Sequence, residues 1–241
     1  FYAKSMVDGG TDFVNDPVAG GDLPTSRSMI FVSPDGERSM NTYLGISTDL
    51  GPNDVPNDVA SAAKIMFLEG YLFDKDKGKQ AFLEASRLTR AAGGKAGIAI
   101  SDPFCVSRHR DDFLRMIRDE LDFVIGNQAE ILSLFETDDL EDALTRTAAM
   151  CGTVVCTRSG DGVTLIRDGE RVDVPVTKVT PVDATGAGDQ FAAGFLYGMA
   201  TDRNLETCGK MGNICAAEVI SHIGPRPATN MIEVFKQQGL V

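Results

Sequence analysis

Short apolar runs alternate along most of the chain with longer stretches in which apolar residues return every three to four positions. The first pattern predicts buried strands and the second amphipathic helices. Near the start, Ser28–Ser33 and Arg38–Leu44 flank Pro34-Asp35-Gly36-Glu37, a sequence that predicts a β-hairpin closed by a Pro-Asp-Gly turn. Beyond Gly51, strands are predicted at 64–69, 96–101, 122–126, 153–157, 163–167 and 171–176. Helices are predicted at 77–92, where Gly93-Gly94 ends the run, and at 111–121, 127–135, 140–150, 188–200, 205–223 and 229–238. Repeated strand–helix units imply an α/β fold with a mostly parallel central sheet and helices on both faces. The hairpin stands outside that alternation and is assigned to a small β lid. Residues 1–50 are therefore expected to hold a helix end and the lid, and 51–241 an α/β core continuous with it.

The composition narrows the possible partners. At 241 residues, with 43% hydrophobic and 24% charged side chains, the chain can build one sizeable core. No apolar run reaches the length of a membrane span. A net charge of −12 repels nucleic acid and acidic membrane surfaces, so neither is expected as a partner. Any anion site must then be built locally, from backbone N–H groups, a metal or a few placed cations. Five cysteines without a C-x-x-C pair, and His109 and His222 far from ligand spacing, predict reduced thiols, a cytoplasmic setting and no zinc site. The chain opens on Phe1 without a basic segment leading into an apolar one, and is expected to lack its first part.

The chemistry concentrates in Asp183-Ala184-Thr185-Gly186-Ala187-Gly188-Asp189. Two glycines let the backbone turn tightly and approach a ligand closely. After them, Phe191, Phe195, Leu196 and Met199 form one apolar stripe of a helix. The amides of Ala187, Gly188 and Asp189 thus fall at a helix N-terminus, where unpaired N–H groups attract anions. Asp and Thr also cap helices, which explains one of these residues but not two glycines and a second carboxylate in a single turn. The run is not G-x-G-x-x-G, and no G-x-x-x-x-G-K-[ST] occurs, so neither the dinucleotide fingerprint nor the P-loop is present.

This segment resembles the D-T-x-G-A-G-D signature of the PfkB family, which includes ribokinase, fructokinase and adenosine kinase; Ala184 holds the second position and Thr185 the third. The resemblance continues into Phe191-Ala192-Ala193-Gly194-Phe195 and implies a ribokinase-like fold. It also implies that Asp189 is the general base and that Gly186, Ala187 and Gly188 frame an anion hole. Asn127-Gln128-Ala129-Glu130 resembles the family's N-x-x-E motif, which implies that Asn127 and Glu130 act near Mg2+. As a plain sequence, the same residues predict a helix capping box. Thr157, Arg158, Gly160 and Gly162 lie in a run similar to the family's nucleotide loop, and they also suit a turn between two strands. Asn213 matches a residue bordering the family's adenine pocket, the alternative being a solvent-facing polar position. Asp183 and the turn from Ile220 to Gly224 would lie near a monovalent cation such as K+.

The implied cofactors are ATP and Mg2+, and the implied partner is a small sugar or nucleoside. Thr42–Gly45, Leu68–Leu72 and Ser101–Phe104 look most similar to the bacterial adenosine-kinase-like branch, while the family's G-G-x-x-x-N region has no match. The lid's open edges would permit a homodimer. Arg108, Arg110 and Arg158 are candidate phosphate contacts against the plainer reading of solvent-facing cations. A carboxylate at a helix N-terminus is expected to have a lowered pKa, which makes Asp189 a weak base. An inactive nucleotide- or sugar-binding regulator of the same fold is the competing function. A Rossmann-type oxidoreductase lacks its fingerprint.

Overall fold

The computed structural model describes residues 2–241. Helix α1 (Tyr2–Asp8) leads through an exposed stretch to the hairpin strands β1 (Arg27–Val32) and β2 (Arg38–Tyr43). The core follows as α2 (Asn57–Ala62), β3 (Ile65–Glu69), α3 (Asp76–Ala91), β4 (Lys95–Ala99), α4 (Pro103–Glu120), β5 (Phe123–Asn127), α5 (Gln128–Phe135) and α6 (Leu140–Ala148). It continues through β6 (Thr153–Thr157), β7 (Val163–Arg167), β8 (Glu170–Val174), α7 (Ala187–Ala200), α8 (Leu205–Val219) and α9 (Met231–Gln237). The large sheet runs β3-β4-β5-β6-β7-β8. Its pairs are parallel as far as β6, and β7 and β8 then join antiparallel.

Apolar continuity in the central strands follows from cover on both faces. In β5, Val124 packs in one cluster with Phe82 of α3, Phe113 and Ile117 of α4, Ile131 of α5 and Leu144 of α6. Its neighbours Phe123 and Ile125 point the other way, into a cluster with Phe191 and Phe195 of α7 and Cys208 of α8. Strand β6 repeats the alternation, with Val154 and Cys156 on the first face and Val155 on the second. Each fully buried Phe or Ile stabilises the fold by about 1.5–3 kcal/mol, so the two layers are fixed by side chains one residue apart.

Three boundaries depart from the sequence expectation. Helix α4 begins at Pro103 rather than 111, because Asp102 caps it through the Phe104 N–H and Pro103 occupies the first turn. The non-helical backbone of His109 divides the helix there, which hides the first turns from a periodicity reading. Helix α8 stops at Val219 rather than 223. The six-residue α2 was not anticipated, being too short to show a period.

The hairpin forms a separate two-stranded sheet, with Ile30 opposite Met40 and Ser28 bonded to Thr42 at 2.8 Å. Met29, Phe31, Met40 and Tyr43 are exposed on it. A two-stranded sheet is marginal alone, and this one is anchored by its turn. Gly36 is buried against Pro181, and its carbonyl accepts the Ala184 N–H at 3.0 Å. The hairpin is thereby tied to the segment that leads into α7.

Candidate active site

The parallel strands end at one rim of the sheet, where ligands of open α/β folds collect. Glu69 closes β3, Asp102 follows β4, Glu130 follows β5, and Asp189 stands in the first turn of α7. The side chains act on one another: Asp189 raises the pKa of Glu69, and all four carboxyls raise that of Tyr71 after its own burial. Arg38, carried in by β2, is the cation that opposes this charge at Asp189.

The turn before α7 has the geometry that its glycines allow. Gly186 takes the left-handed conformation at φ 83°, and a Cβ there would lie 2.9 Å from that of Pro225. The Ala187 N–H reaches the Ala184 carbonyl at 3.4 Å, and the Gln190 N–H reaches the Gly186 carbonyl at 2.9 Å. Between them, the amides of Gly188 and Asp189 meet no acceptor among the described residues. Gly188 is exposed, and a Cβ on it would meet no atom within 4 Å. The turn faces an opening rather than packed protein. Two of the three expected amide donors are therefore free, and the third is weakly engaged within the turn.

Asp183 supports this turn from behind. It is buried, and its carboxylate accepts from the Thr185 N–H at 2.9 Å and the Gly224 N–H at 3.0 Å. Hydrogen bonds from Thr185 and Gly224 hold its carboxyl below the usual aspartate value. The Thr185 hydroxyl is buried without a hydrogen-bond partner.

Asp189 corrects the expectation of a lowered pKa. Although its side chain keeps contact with solvent, surrounding protein displaces enough water to raise the carboxyl above its ordinary value, with Arg38 pulling the other way. Glu69 is raised by burial, opposed by a hydrogen bond from Ser101 and reinforced by Asp189. Ser101 holds that position at φ 75°, a left-handed conformation costly for a non-glycine residue and concentrated at functional sites.

Asn127 and Glu130 form the capping box in full. The Glu130 N–H donates to Asn127 Oδ1 at 2.9 Å, the Asn127 N–H to Glu130 Oε2 at 2.9 Å, and Asn127 Nδ2 to Glu130 Oε1 at 2.6 Å. Burial pushes the Glu130 carboxyl up to about 7, and the nearby charges of Glu69 and Asp102 add to it. Among the described residues no group of three or more His, Cys, Asp or Glu side chains is placed to ligate a metal directly. The rim still carries four carboxyls. Those residues fit a hydrated divalent cation held through water and a second anion, which is how Mg2+ prefers to bind.

Across the rim, the loop after β6 turns tightly: the Arg158 N–H bonds to the Gly162 carbonyl at 2.8 Å. A Cβ on Gly162 would lie 2.2 Å from the Val174 carbonyl, whereas Gly160 faces open space. Thr157 ends β6, and Arg158 pairs with Asp173 at 3.2 Å. Arg108 is held by Asp74 at 2.9 Å and Arg110 by Glu136 at 3.2 Å, so both are engaged within the protein. Asn213 is buried rather than solvent-facing, and Nδ2 donates to the carbonyls of Val174 and Pro175 at 3.2 Å each. It lines a cavity of about 550 Å³ together with Pro175, Thr177, Val179, Ile214 and Leu240.

Sequence reading missed Arg38, Glu69 and Tyr71, and gave Phe104 no role. Each comes from a different element, and no local spacing marks them as a group. Leu68-Glu69-Gly70-Tyr71 carried one usable signal: Gly70 is required because a Cβ would meet the Ala99 carbonyl at 2.6 Å.

A model of the PfkB family of carbohydrate kinases matches residues 15–231. The chain belongs to that family of phosphotransferases. It is similar to a solved probable sugar kinase from Rhizobium etli, with 45% identity and a TM-score of 0.96, over 100% of this chain and 73% of that one. It is also similar to an adenosine kinase from Sinorhizobium meliloti, with 43% identity and a TM-score of 0.95, over 98% of this chain and 73% of the other. An E. coli protein assigned as ribokinase II, solved with ATP and Mg2+, shares 19% identity and a TM-score of 0.78 over 88% of this chain and 71% of its own, a likeness of fold alone. The mixed sheet with helices on both sides is the ribokinase-like fold. Among the described residues no helix is long and apolar enough to cross a membrane.

Proposed function

We propose that this chain carries the catalytic centre of an ATP-dependent kinase that phosphorylates a hydroxyl of a nucleoside or ribose-type sugar, with Asp189 as general base. The observation that carries the reading is the exposed turn at Gly188, whose free amides stand beside a carboxyl of raised pKa. The N–H groups of Gly188 and Asp189, with Ala187 and the Gly186 turn behind them, receive the γ-phosphoryl group. Asp189 takes the proton from the acceptor hydroxyl as the new O–P bond forms and the bond to the β-phosphate oxygen breaks, releasing ADP. A raised pKa makes that carboxylate a better base, and such assistance is worth about 10²–10⁴-fold. Arg38 approaches from the lid and neutralises charge at the same centre.

The cavity at Asn213 suits the adenine, and Thr157, Arg158, Gly160 and Gly162 form the loop beside the phosphates. Asn127 and Glu130 would hold water bound to Mg2+. When bound, that ion screens the phosphate oxygens. The unpartnered Thr185 hydroxyl, Asp183 and the backbone of turn 220–224 are the groups suited to a monovalent cation such as K+. The five cysteines, all buried and unpaired, suit a reducing, cytoplasmic compartment. Residues 1–50 would act as helix end and lid, 51–241 as the nucleotide-binding core, and the exposed lid face would pair two copies. A small molecule is the partner, and the net charge of −12 argues against nucleic acid and membranes.

Within this reading a nucleoside is favoured over a free sugar. Tyr71 and Phe104 are 53% and 74% exposed, and both flank Asp102 at the rim. Flat apolar faces left open on the acidic rim suit stacking against a base. ADP release with ATP and a panel of nucleosides and sugars tests this. A nucleoside should give the highest kcat/KM, and Phe104→Ala should raise its KM by roughly tenfold or more. Equal loss for sugars and nucleosides, or ADP release indifferent to any acceptor, would overturn the proposal.

A further inference from the structure

The loop between α8 and α9 supplies the walls of the catalytic turn. The Gly224 N–H donates to Asp183, Pro225 fills the space beside Gly186, and the Pro225 carbonyl accepts from Gln190 Nε2 at 3.3 Å. On the near side, the Ile220 carbonyl accepts the Val182 N–H at 2.8 Å. Four residues of the turn and helix start therefore depend on where residues 220–225 sit.

One side chain closes this loop. Glu218, in the last turn of α8, accepts the Ala228 N–H at 2.8 Å and the Thr229 hydroxyl at 3.4 Å, both on Oε1. His222 Nε2 faces the same oxygen at 3.5 Å, and the Glu218 side chain is only 14% exposed. Glu218 Oε2 and His222 Nε2 are both buried without a hydrogen-bond partner. The bridge spans ten residues, and Gly224 and Pro225 lie at its middle. A second tie, from Arg226 to Ser5 at 2.7 Å, lies on the exposed side and does not replace it.

We infer that Glu218 is a positioning residue for phosphoryl transfer: its carboxylate latches residues 228–229 and so holds Gly224 and Pro225 against the Asp183–Asp189 turn. This rests on the proposal that the turn receives the phosphoryl group. The charge of Glu218 is not what the latch requires, since an amide oxygen at Oε1 could accept the same two donors. Glu218→Gln should therefore behave nearly as wild type, and Glu218→Ala should not.

The test pairs hydrogen exchange with kinetics on the same purified proteins. In Glu218→Ala the Gly224 and Ala228 amides should exchange about tenfold faster or more, with those of β4–β6 unchanged. Its kcat should fall roughly tenfold with both KM values within about twofold, because a displaced turn loses transition-state contacts rather than uniform binding. Glu218→Gln should restore both readouts to within about threefold. Unchanged Gly224 exchange in a folded alanine variant, faster exchange with full kcat, or a glutamine variant as impaired as alanine would each overturn the inference. Should alanine prevent folding, Thr229→Val removes one arm alone; faster Gly224 exchange supports the latch, and unchanged exchange overturns it. Exchange needs no turnover, so a protein inactive on every acceptor would fail the kinase proposal while the latch is still judged.

Discussion

Three side chains show how local surroundings set their chemistry. Asp189 lies at a helix N-terminus, which alone would lower its pKa, yet crowding by protein raises it and Arg38 supplies the counterweight. A general base must be ionised, so activity should be lost as pH falls through that raised value, above the ordinary 3.8 of an aspartate. Removing the cation by Arg38→Gln should move the acidic limb of the kcat profile to higher pH. A limb that stays in place would detach Arg38 from this carboxyl. Glu130 makes a different forecast. Its carboxyl is raised to about 7 from 4.5, so the folded state favours the proton more than the unfolded state does. The stability it contributes is complete below about 4.5 and is lost as pH rises through about 7, an effect of roughly 3 kcal/mol at most. Glu130→Gln cannot ionise, so its stability relative to wild type should improve between pH 5 and pH 8 in urea melts. A pH-independent difference would show that the carboxyl is not held in this way.

At the scale of elements, the glycine turn before α7 carries a sharp conformational demand. Gly186→Ala places a methyl group against Pro225 in a left-handed backbone, which should cost about 1–3 kcal/mol of stability. It should lower kcat more than it lowers ATP affinity, as steady-state kinetics would record; a fully active variant would mean that the turn tolerates displacement. The same turn was legible in the sequence because everything that makes it lies within seven consecutive residues. Strands β4 to β7 were legible for a related reason, since apolar runs buried on both faces announce themselves. What escaped was non-local or too short. Helix α4 lost its first turns to the break at His109, and α2 has fewer than two full periods. Arg38 is indistinguishable in sequence from other strand arginines. It acquires meaning because Gly36 docks the hairpin against Pro181 and Ala184, which brings β2 over the start of α7.

Under the proposed function, the work of the whole molecule would be divided between the two ends of one sheet rim. The cavity at Asn213 lies beside the β8 end, and the acidic group of Glu69, Asp102, Glu130 and Asp189 lies by the parallel strands. A net charge of −12 offers no general attraction for a triphosphate, so under the proposed function free amides, a divalent ion and Arg38 would supply it locally. In the proposed reaction, exclusion of water would fall to the hairpin, whose exposed Met29, Phe31 and Met40 give it little packing of its own. The central claim is that Asp189 accepts the proton of the hydroxyl being phosphorylated. Acceptor-dependent ADP release by wild type and Asp189→Asn, measured beside ATP binding, tests it most directly. The asparagine variant should bind ATP within about twofold of wild type and turn over at least about 100-fold more slowly. Turnover within a few-fold of wild type would contradict the assignment of the base.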